Sequence, residues 1–293
     1  MKRIIIPIDF SVNAFNALHF AEALAIQARI DLTLVHVIPI QLVGATEVPV
    51  LVLPDDETLA YYTKKTKDLA RQVELENEFR FEVEGVCSTG LFLDELLRQI
   101  RIKGTNVLVV MGTRGADSFL DKLIGTNTAS IMKNAPCPIL AIPVNAHFQG
   151  LNKIVYATDL KSKDDIFLNQ LNEFASLFQS EISIIHVKDE KHLKDRIDVI
   201  TFEKIIKKFP DHKYSFVEVK GRNAVDGIQT FINENSIDIV ALAIHERNML
   251  EDLFHSSVSR KLAFHCTVPI LSLPEKQKEI TDSKAPERDA VID

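Results

Sequence analysis

The chain of 293 residues is poor in glycine and cysteine and has no tryptophan. Its 10 glycines are about half of the usual share of roughly 7%. The 3 cysteines, Cys87, Cys137 and Cys266, are widely spaced, odd in number and without a C-x-x-C pair. This usage favours reduced thiols in a cytoplasm over a disulfide framework. Because glycine is scarce elsewhere, the places where it clusters are expected to need it.

Long apolar runs and excess positive charge are also missing. No stretch reaches the ~18 apolar residues of a membrane-spanning helix. Lys2 and Arg3 followed by Ile4–Ile6 begin like a signal peptide, but Pro7 and Asp9 end that apolar run too early. The net charge of −7 gives no basic field for nucleic acid. We therefore expect a cytoplasmic protein with neither a membrane nor a nucleic acid as partner, in which backbone N–H groups could still bind an anion locally.

The sequence contains an internal repeat. RIIIPIDFS at 3–11 matches KIVYATDLK at 153–161, and DLTLVHV at 31–37 matches EISIIHV at 181–187. These matches make Asp9 equivalent to Asp159 and His36 equivalent to His186. Later matches follow at a shorter offset: 106–115 with 238–247, and 137–143 with 268–274. We predict two domains, 1–146 and 151–274, and a disordered polar tail at 275–293.

Each copy alternates strand-like and helix-like patterns, which predicts an α/β fold with a parallel sheet covered by helices on both faces. The fold class is therefore two tandem Rossmann-like domains of five strands each, with a cleft at the carboxyl ends of the strands. Predicted strands lie at 3–8, 32–37, 80–86, 106–111, 138–142, 152–158, 181–187, 213–219, 237–244 and 269–273. Predicted helices lie at 13–28, 58–75, 91–101, 127–133, 164–179, 192–208, 223–235 and 250–264.

The strongest local signal follows the fourth predicted strand. Gly112-Thr113-Arg114-Gly115 comes directly after it, and Gly125-Thr126 stands before the next helix. Glycines let a backbone approach a phosphate closely, and a helix N-terminus favours an anion. The alternative is that these glycines serve turns only. Other phosphate motifs are missing: GVCSTG at 85–90 is followed by Leu91 and Phe92 where a P-loop needs Lys and Ser or Thr, and there is no G-x-G-x-x-G.

Two further residues end predicted strands at the same cleft. The Asp9 carboxylate could accept from a ribose hydroxyl or an adenine amino group, or it could serve the following turn. The Val37 backbone could hydrogen-bond the edge of an adenine, although a valine at a strand end is usually core.

PIDFS near the start, LVHV at the second strand, and G-x2-G-x9-G-[ST] before a terminal apolar strand together resemble the universal stress protein family. The resemblance extends over both copies and implies strand order 3-2-1-4-5, an adenine nucleotide alpha hydrolase-like fold and, in one branch, binding of ATP with Mg²⁺. By position, it assigns adenine, ribose and phosphate contacts to Pro7, Asp9, Val37, Gly112, Gly115, Gly125, Thr126 and Asn127. Arg114 is the cation beside them. All motif positions are present in the first copy, which favours the nucleotide-binding branch.

The second copy departs from the motif. Ala157 replaces Pro7, and Ser256 and Ser257 stand at Gly125 and Thr126. Either Ala243 and Glu246 or Ile244 and Arg247 replace Gly112 and Gly115, depending on which strands are aligned. A glutamate beside a triphosphate is repulsive, so we predict that this domain does not bind ATP in the same way. Ligand-type side chains do gather nearby, but no spacing is diagnostic of a metal site, and we predict none: His245, Glu246, His255, His265 and Cys266.

Three functions are compatible with these residues: a nucleotide-dependent sensor, a slow ATPase, or a scaffold with vestigial pockets. Hydrolysis needs a positioned water and metal ligands, and no such set is evident, so a sensor is favoured and no catalytic residue is assigned. The apolar terminal strands 138–144 and 269–274 are expected to pair within the chain. A homodimer and an unidentified protein are further expected partners. The apolar segment 39–56 is interpreted as a lid or partner-binding loop, or equally as a packing insertion.

Overall fold

The computed structural model describes residues 1–43, 50–104, 106–113, 125–158, 164–188, 213–244 and 267–275. In the first half the elements are β1 (Arg3–Pro7), α1 (Val12–Ala28), β2 (Asp31–Pro39), β3 (Gln41–Val43), β4 (Val50–Val52), α2 (Asp56–Glu76), β5 (Val83–Gly90), α3 (Phe92–Lys103), β6 (Val107–Gly112), α4 (Thr126–Asn134) and β7 (Ile139–Ile142). In the second half they are β8 (Lys153–Ala157), α5 (Asp164–Phe178), β9 (Glu181–Lys188), β10 (Tyr214–Lys220), α6 (Ala224–Asn235), β11 (Ile239–Ile244) and β12 (Ile270–Pro274).

Ten strands form one continuous sheet in the order β10-β9-β8-β11-β12-β7-β6-β1-β2-β5. Each half has the order 3-2-1-4-5 with parallel neighbours, so the predicted fold class and strand order are confirmed. The halves meet where β7 and β12 pair antiparallel, with Leu140 opposite Leu271. The predicted pairing of the terminal strands within one chain is therefore present, and it leaves β5 and β10 as the sheet edges.

The sheet is buried on both faces. Ile4 and Ile6 of β1 point to the face covered by α1 and α2, while Ile5 points to the face covered by α3 and α4. Both faces are apolar because each parallel strand lies between two helical layers, which explains why these strands are uninterrupted runs of Ile, Val and Leu. The first of these clusters continues into the second half through Phe167 and Phe174 of α5.

Helix α1 begins as its sequence predicts. The Ser11 hydroxyl caps it by accepting from the Ala14 N–H at 3.2 Å. The helix ends at Ala28, and Arg29 takes a left-handed conformation after it. The Asn16 side-chain amide donates to the carbonyl oxygens of Pro143 and Ala146, so α1 also holds the chain that leaves β7 for the second half.

Three features differ from the predictions. The segment 39–56, interpreted as a lid, a partner-binding loop or a packing insertion, contains two short strands, β3 and β4, which pair antiparallel, and Leu51 and Leu53 of this segment are exposed. Strand β5 starts at Val83, later than predicted, because Glu78 and Phe79 turn the chain with positive φ angles after α2. The glycine pair of 85–90 therefore lies on a strand, and the backbone of α2 at Thr66 would be 2.7 Å from a Cβ on Gly85.

Other predictions fall outside the described residues. These are the helices at 192–208 and 250–264 and, apart from Glu275, the tail. Among the helices that the structure describes, none is long and apolar enough to cross a membrane.

Candidate functional site

The topology places a cleft beside β1. Strand β1 pairs in parallel with β2 on one side and with β6 on the other. The chain leaves β1 through α1 on one face of the sheet, and α3 leads into β6 from the opposite face. Open α/β sheets bind ligands in the crevice outside the carboxyl ends of strands at such a switch point. The end of β1, with Pro7 buried and Asp9 exposed, opens into this crevice.

The Asp9 carboxylate organises the turn that starts α1. Its Oδ1 accepts from the Ser11 N–H at 3.0 Å, and Ser11 then caps the helix. Phe10, between them, takes a left-handed conformation with φ of 61°, which is uncommon for a bulky side chain. The structural role foreseen as an alternative for Asp9 is therefore real. It leaves the residue exposed at the cleft, where a carboxylate can also accept from a ligand hydroxyl.

Gly112 ends β6 against the first turn of α1. A Cβ at this position would lie 2.9 Å from the Asn13 carbonyl oxygen. The glycine is thus needed for the close approach of strand and helix, a reason that the motif did not reveal. The strand pairings also decide between the two possible alignments of the copies. Ile4 pairs with Leu108, and the equivalent residue Ile154 pairs with Ile239. Leu108 and Ile239 are therefore equivalent, and four residues later Ala243 is the counterpart of Gly112.

Helix α4 presents its N-terminus at the same end of the sheet. Gly125 is its N-cap and supplies no side-chain cap. Thr126 and Asn127 form its exposed first turn, and the positive end of the helix dipole lies there. Thr128 is buried, and its hydroxyl donates to the Gly112 carbonyl oxygen at 3.0 Å. Sequence reasoning missed Thr128 because nothing in its local pattern separates it from the other hydroxyl residues of this helix.

The end of β2 contributes backbone groups. The Val35 carbonyl accepts from the Ile8 N–H at 2.9 Å, so Val35 faces β1. Backbone groups alternate sides along a strand, and Val37 therefore presents its N–H and C=O to the same side, beyond the last paired residue of β1. Strand β2 continues to Pro39, so the prediction that Val37 closes the strand is wrong by two residues. Its side chain packs against the apolar face under α3.

His36 holds the neighbouring carbonyl. Its Nδ1 lies 2.7 Å from the Ile8 carbonyl oxygen and must donate to it. If the parallel ladder continued, the Ile8 carbonyl oxygen would accept from the Val37 N–H. Because the imidazole donates to this oxygen, the Val37 N–H is more readily available to a ligand in the cleft. The second half repeats this contact, with His186 Nδ1 at 3.1 Å from the Thr158 carbonyl.

The surroundings of His36 disfavour its charged form. The ring is buried and stacks on Tyr62 with centroids 4.6 Å apart, and Phe10 packs beside it at 5.0 Å. Burial lowers the pKa of His36, against the opposing effects of the Ile8 carbonyl and Asp9. Lys65, whose ammonium lies 4.1 Å from the centre of the Phe10 ring, lowers that pKa further. In the sequence, His36 is recognisable only as a position shared by the two copies of the repeat.

Two predicted site residues, Arg114 and Gly115, lie outside the described residues. The same holds for five residues of the second copy that were aligned with the motif: Asp159, Glu246, Arg247, Ser256 and Ser257. Four further side chains of metal-ligand type, at which no metal site is predicted, also lie outside the described residues: His245, His255, His265 and Cys266. Within the described ranges, no group of three or more His, Cys, Asp or Glu residues is arranged to hold a metal ion.

Comparison with known proteins gives a consistent result. The sequence model of the universal stress protein family matches twice, over residues 1–143 and 150–274. Universal stress protein Slr1230 of Synechocystis is 24% identical over 192 residues, which are 65% of this chain and 64% of that protein. Universal stress protein A homolog 1 of Coxiella burnetii is 28% identical over 144 residues, 48% of this chain and 95% of that protein.

The fold has a counterpart over almost its whole length. The crystal structure of a universal stress protein from Archaeoglobus fulgidus aligns with a TM-score of 0.72 and 16% identity, covering 93% of this chain and 98% of the other. At that identity the likeness concerns the fold alone.

Proposed function

We propose that this chain, which belongs to the universal stress protein family, binds ATP in its N-terminal domain and acts as a nucleotide-dependent sensor or regulator in a stress response. One observation carries the proposal: the Asp9 turn after β1, the backbone edge of Val37 in β2 and the N-terminus of α4, which is bonded to the end of β6, all lie at the carboxyl ends of neighbouring strands. These three elements offer a carboxylate, a peptide donor–acceptor pair and a positive helix end, which suit a ribose, an adenine and a phosphate respectively.

The adenosine would occupy the β1–β2 side of the cleft. A peptide N–H and C=O pair matches the donor and acceptor edge of adenine, and Val37 offers both beyond the end of β1. The Asp9 carboxylate, exposed beside it, would accept from a ribose hydroxyl. Pro7 is buried at the end of β1 and has no N–H, so it would contribute an apolar contact.

The phosphates would occupy the β6–α4 side. The first N–H groups of a helix lack partners within it, and with the dipole they attract anions. Thr126 and Asn127 provide such groups, and the Thr126 hydroxyl adds a donor, whereas the Gly125 N–H donates to the Thr113 carbonyl oxygen. Thr128 fixes the helix to the end of β6, so this turn is held in place before a ligand arrives. By their place in the sequence motif, Arg114 and Gly115 would complete the proposed phosphate site, and Mg²⁺ would accompany the ATP.

The second domain would act as a partner that does not bind ATP in this way. Ala157 and Ala243 replace Pro7 and Gly112, and Glu246 follows in the sequence where the motif has glycine. The β7–β12 pairing joins the two domains in one sheet, so a change at the first cleft has a direct structural path to the second domain. Sensing through that path is favoured over rapid hydrolysis, because the sequence offers no evident general base or metal carboxylate apart from Asp9, which the adenosine would occupy.

Calorimetric titration tests the proposal. Nucleotide-free wild type and Gly115→Glu, which copies the glutamate of the second copy, are titrated with ATP and Mg²⁺, and with ADP, AMP and cAMP in parallel. We expect one ATP per chain in the wild type and none in the variant. A wild type that binds no adenine nucleotide contradicts the proposal and leaves a scaffold function. Two ATP per chain would contradict the assignment of the second domain.

A further inference from the structure

The turn between β1 and α1 contains a backbone outlier. Phe10 takes a left-handed conformation with φ of 61°, in which the Cβ of a bulky residue crowds the following carbonyl oxygen. The other described non-glycine residues with positive φ angles all follow the end of a helix, where a left-handed residue is common: Arg29, Glu78, Phe79, Gln179 and Ser236. Phe10 instead precedes a helix, so the ending of a helix does not explain its conformation. Such a conformation persists only where the surrounding contacts enforce it.

Side chains from two other elements hold the Phe10 ring. It packs beside His36 of β2, with centroids 5.0 Å apart, and it stacks on Tyr62 of α2 at 6.2 Å and an angle of 28°. The Lys65 ammonium of α2 lies 4.1 Å from the centre of the Phe10 ring, a distance typical of a cation–π contact. Because His36 is also bound to the Ile8 carbonyl oxygen, the stack is anchored to the end of β1. These contacts offset the cost of the left-handed backbone.

The conformation of Phe10 decides where its two neighbours lie. A left-handed residue after an aspartate lets the chain turn back, so that the Asp9 Oδ1 accepts from the Ser11 N–H at 3.0 Å. An extended Phe10 would break this turn. The same backbone angles therefore set both the direction of the exposed Asp9 carboxylate and the place of Ser11, which caps α1.

The second copy has a different sequence at this turn. Leu160 is aligned with Phe10, and Lys161 is aligned with Ser11. A leucine offers no aromatic face to a neighbouring ring or a lysine, and a lysine has no oxygen to cap a helix. The aromatic residue and the cap therefore belong to the copy with the complete nucleotide motif.

We infer that Phe10 is a positioning residue for the bound nucleotide: its ring, held by His36, Tyr62 and Lys65, keeps the turn in the conformation that presents the Asp9 carboxylate to the cleft. This inference rests on the proposed function. Phe10 acts through Asp9 and needs no contact with the ligand. Without the ring, the turn would sample other conformations, and the apparent Kd would rise as the fraction of molecules with a competent turn falls.

Calorimetric titration of ATP with Mg²⁺ compares the wild type with two variants of Phe10. Phe10→Gly removes the ring, and because glycine enters the left-handed region without strain, it isolates the hold of the ring on the turn. If roughly 10–30% of the molecules keep a competent turn, the apparent Kd rises about 3- to 10-fold. Phe10→Tyr keeps the ring and should bind ATP like the wild type. Thermal denaturation of each variant sets a titration temperature at which all of them are folded.

Phe79→Gly is the matched control. Phe79 is also left-handed, with φ of 54°, and the Arg71 guanidinium lies 4.9 Å from the centre of its ring. It precedes β5 and so lies at the amino end of the sheet, away from the cleft. We expect Phe79→Gly to bind ATP with wild-type affinity. A loss as large as that of Phe10→Gly would make the effect a general one and overturn the inference.

A double-mutant cycle with Asp9→Ala tests whether Phe10 acts through Asp9. Once the carboxylate is gone, Phe10→Gly should weaken binding no further, because the group that it positions is missing. If the two losses multiply instead, the ring affects binding by another route, and the positioning role is refuted.

Hydrogen exchange reads the same turn in the ligand-free protein. The Ser11 N–H should exchange faster in Phe10→Gly than in the wild type, and at the wild-type rate in Phe10→Tyr. Equal rates in all three proteins would contradict the inference. Absence of ATP binding by the wild type overturns both proposals, whereas ATP binding that depends on Asp9 but not on Phe10 overturns only this one.

Discussion

Replacing Gly112 by alanine tests why a glycine ends β6. A Cβ at this position would lie 2.9 Å from the Asn13 carbonyl oxygen, 3.2 Å from its carbonyl carbon and 3.3 Å from its Cβ. The first two atoms are backbone of the first turn of α1, which is held by the helix hydrogen bonds and cannot move aside as a flexible side chain can. The added methyl group must therefore separate β6 from α1.

Two effects of opposite sign decide the magnitude. Alanine restricts the unfolded chain more than glycine does, which alone would stabilise the protein by about 0.4–1 kcal/mol. Overpacking a close contact costs about 1–3 kcal/mol. Because the contact is with backbone, we expect overpacking to prevail and the free energy of unfolding to fall by about 1–2 kcal/mol. At about 2–4 °C per kcal/mol, the melting temperature falls by roughly 2–8 °C.

Thermal and urea denaturation without nucleotide measure this effect. The matched control is Ala243→Gly, the reverse change at the equivalent position of the second half. It creates no overlap and should cost no more than about 1 kcal/mol. Unchanged or increased stability of Gly112→Ala would refute the packing explanation, and close approach of a ligand would then be the reason for this glycine.

Three other predictions use the same measurements. The pKa of His36 is lowered in the folded state, so the unfolded state binds more protons as the pH falls through about 6.5, and stability should decrease there; His36→Gln should flatten this part of the stability–pH curve, and an unchanged curve would contradict the assignment. Asp9→Asn keeps an acceptor for the Ser11 N–H and should unfold like the wild type, whereas Asp9→Ala loses about 0.5–1.5 kcal/mol; both should weaken ATP binding, and full affinity in either would exclude a ribose contact. Leu271→Ala at the β7–β12 contact should cost about 2–5 kcal/mol, against less than about 0.5 kcal/mol for the exposed Leu75→Ala, and equal costs would contradict a tightly packed junction.

The repeat and the alternation of strands and helices were readable from the sequence. Uninterrupted runs such as VLVVMG of β6 indicate strands covered on both faces, and Ser11 marks the start of α1. These signals are local, because hydrophobic period and helix capping depend on residues a few positions apart. The terminal runs ILAI and ILSLP also indicated, as apolar edge strands, that the copies would meet there.

Element boundaries were less predictable. The hairpin of β3 and β4 was missed, because the apolar run that contains β4 has no strict alternation. The predicted start of β5 is three residues too early, because the turn at Glu78 and Phe79 depends on positive φ angles that their side chains do not favour.

By itself, the sequence determined that the chain folds as two α/β units with a cleft at the end of β1, because that outcome follows from short-range patterns repeated twice. Only the tertiary structure decided what the individual residues do there. Gly112 meets α1, His36 takes the Ile8 carbonyl, and Phe10 stacks on Tyr62. Each of these contacts joins residues between about 28 and 99 positions apart along the chain, and such pairs become neighbours only when parallel strands and their crossover helices assemble.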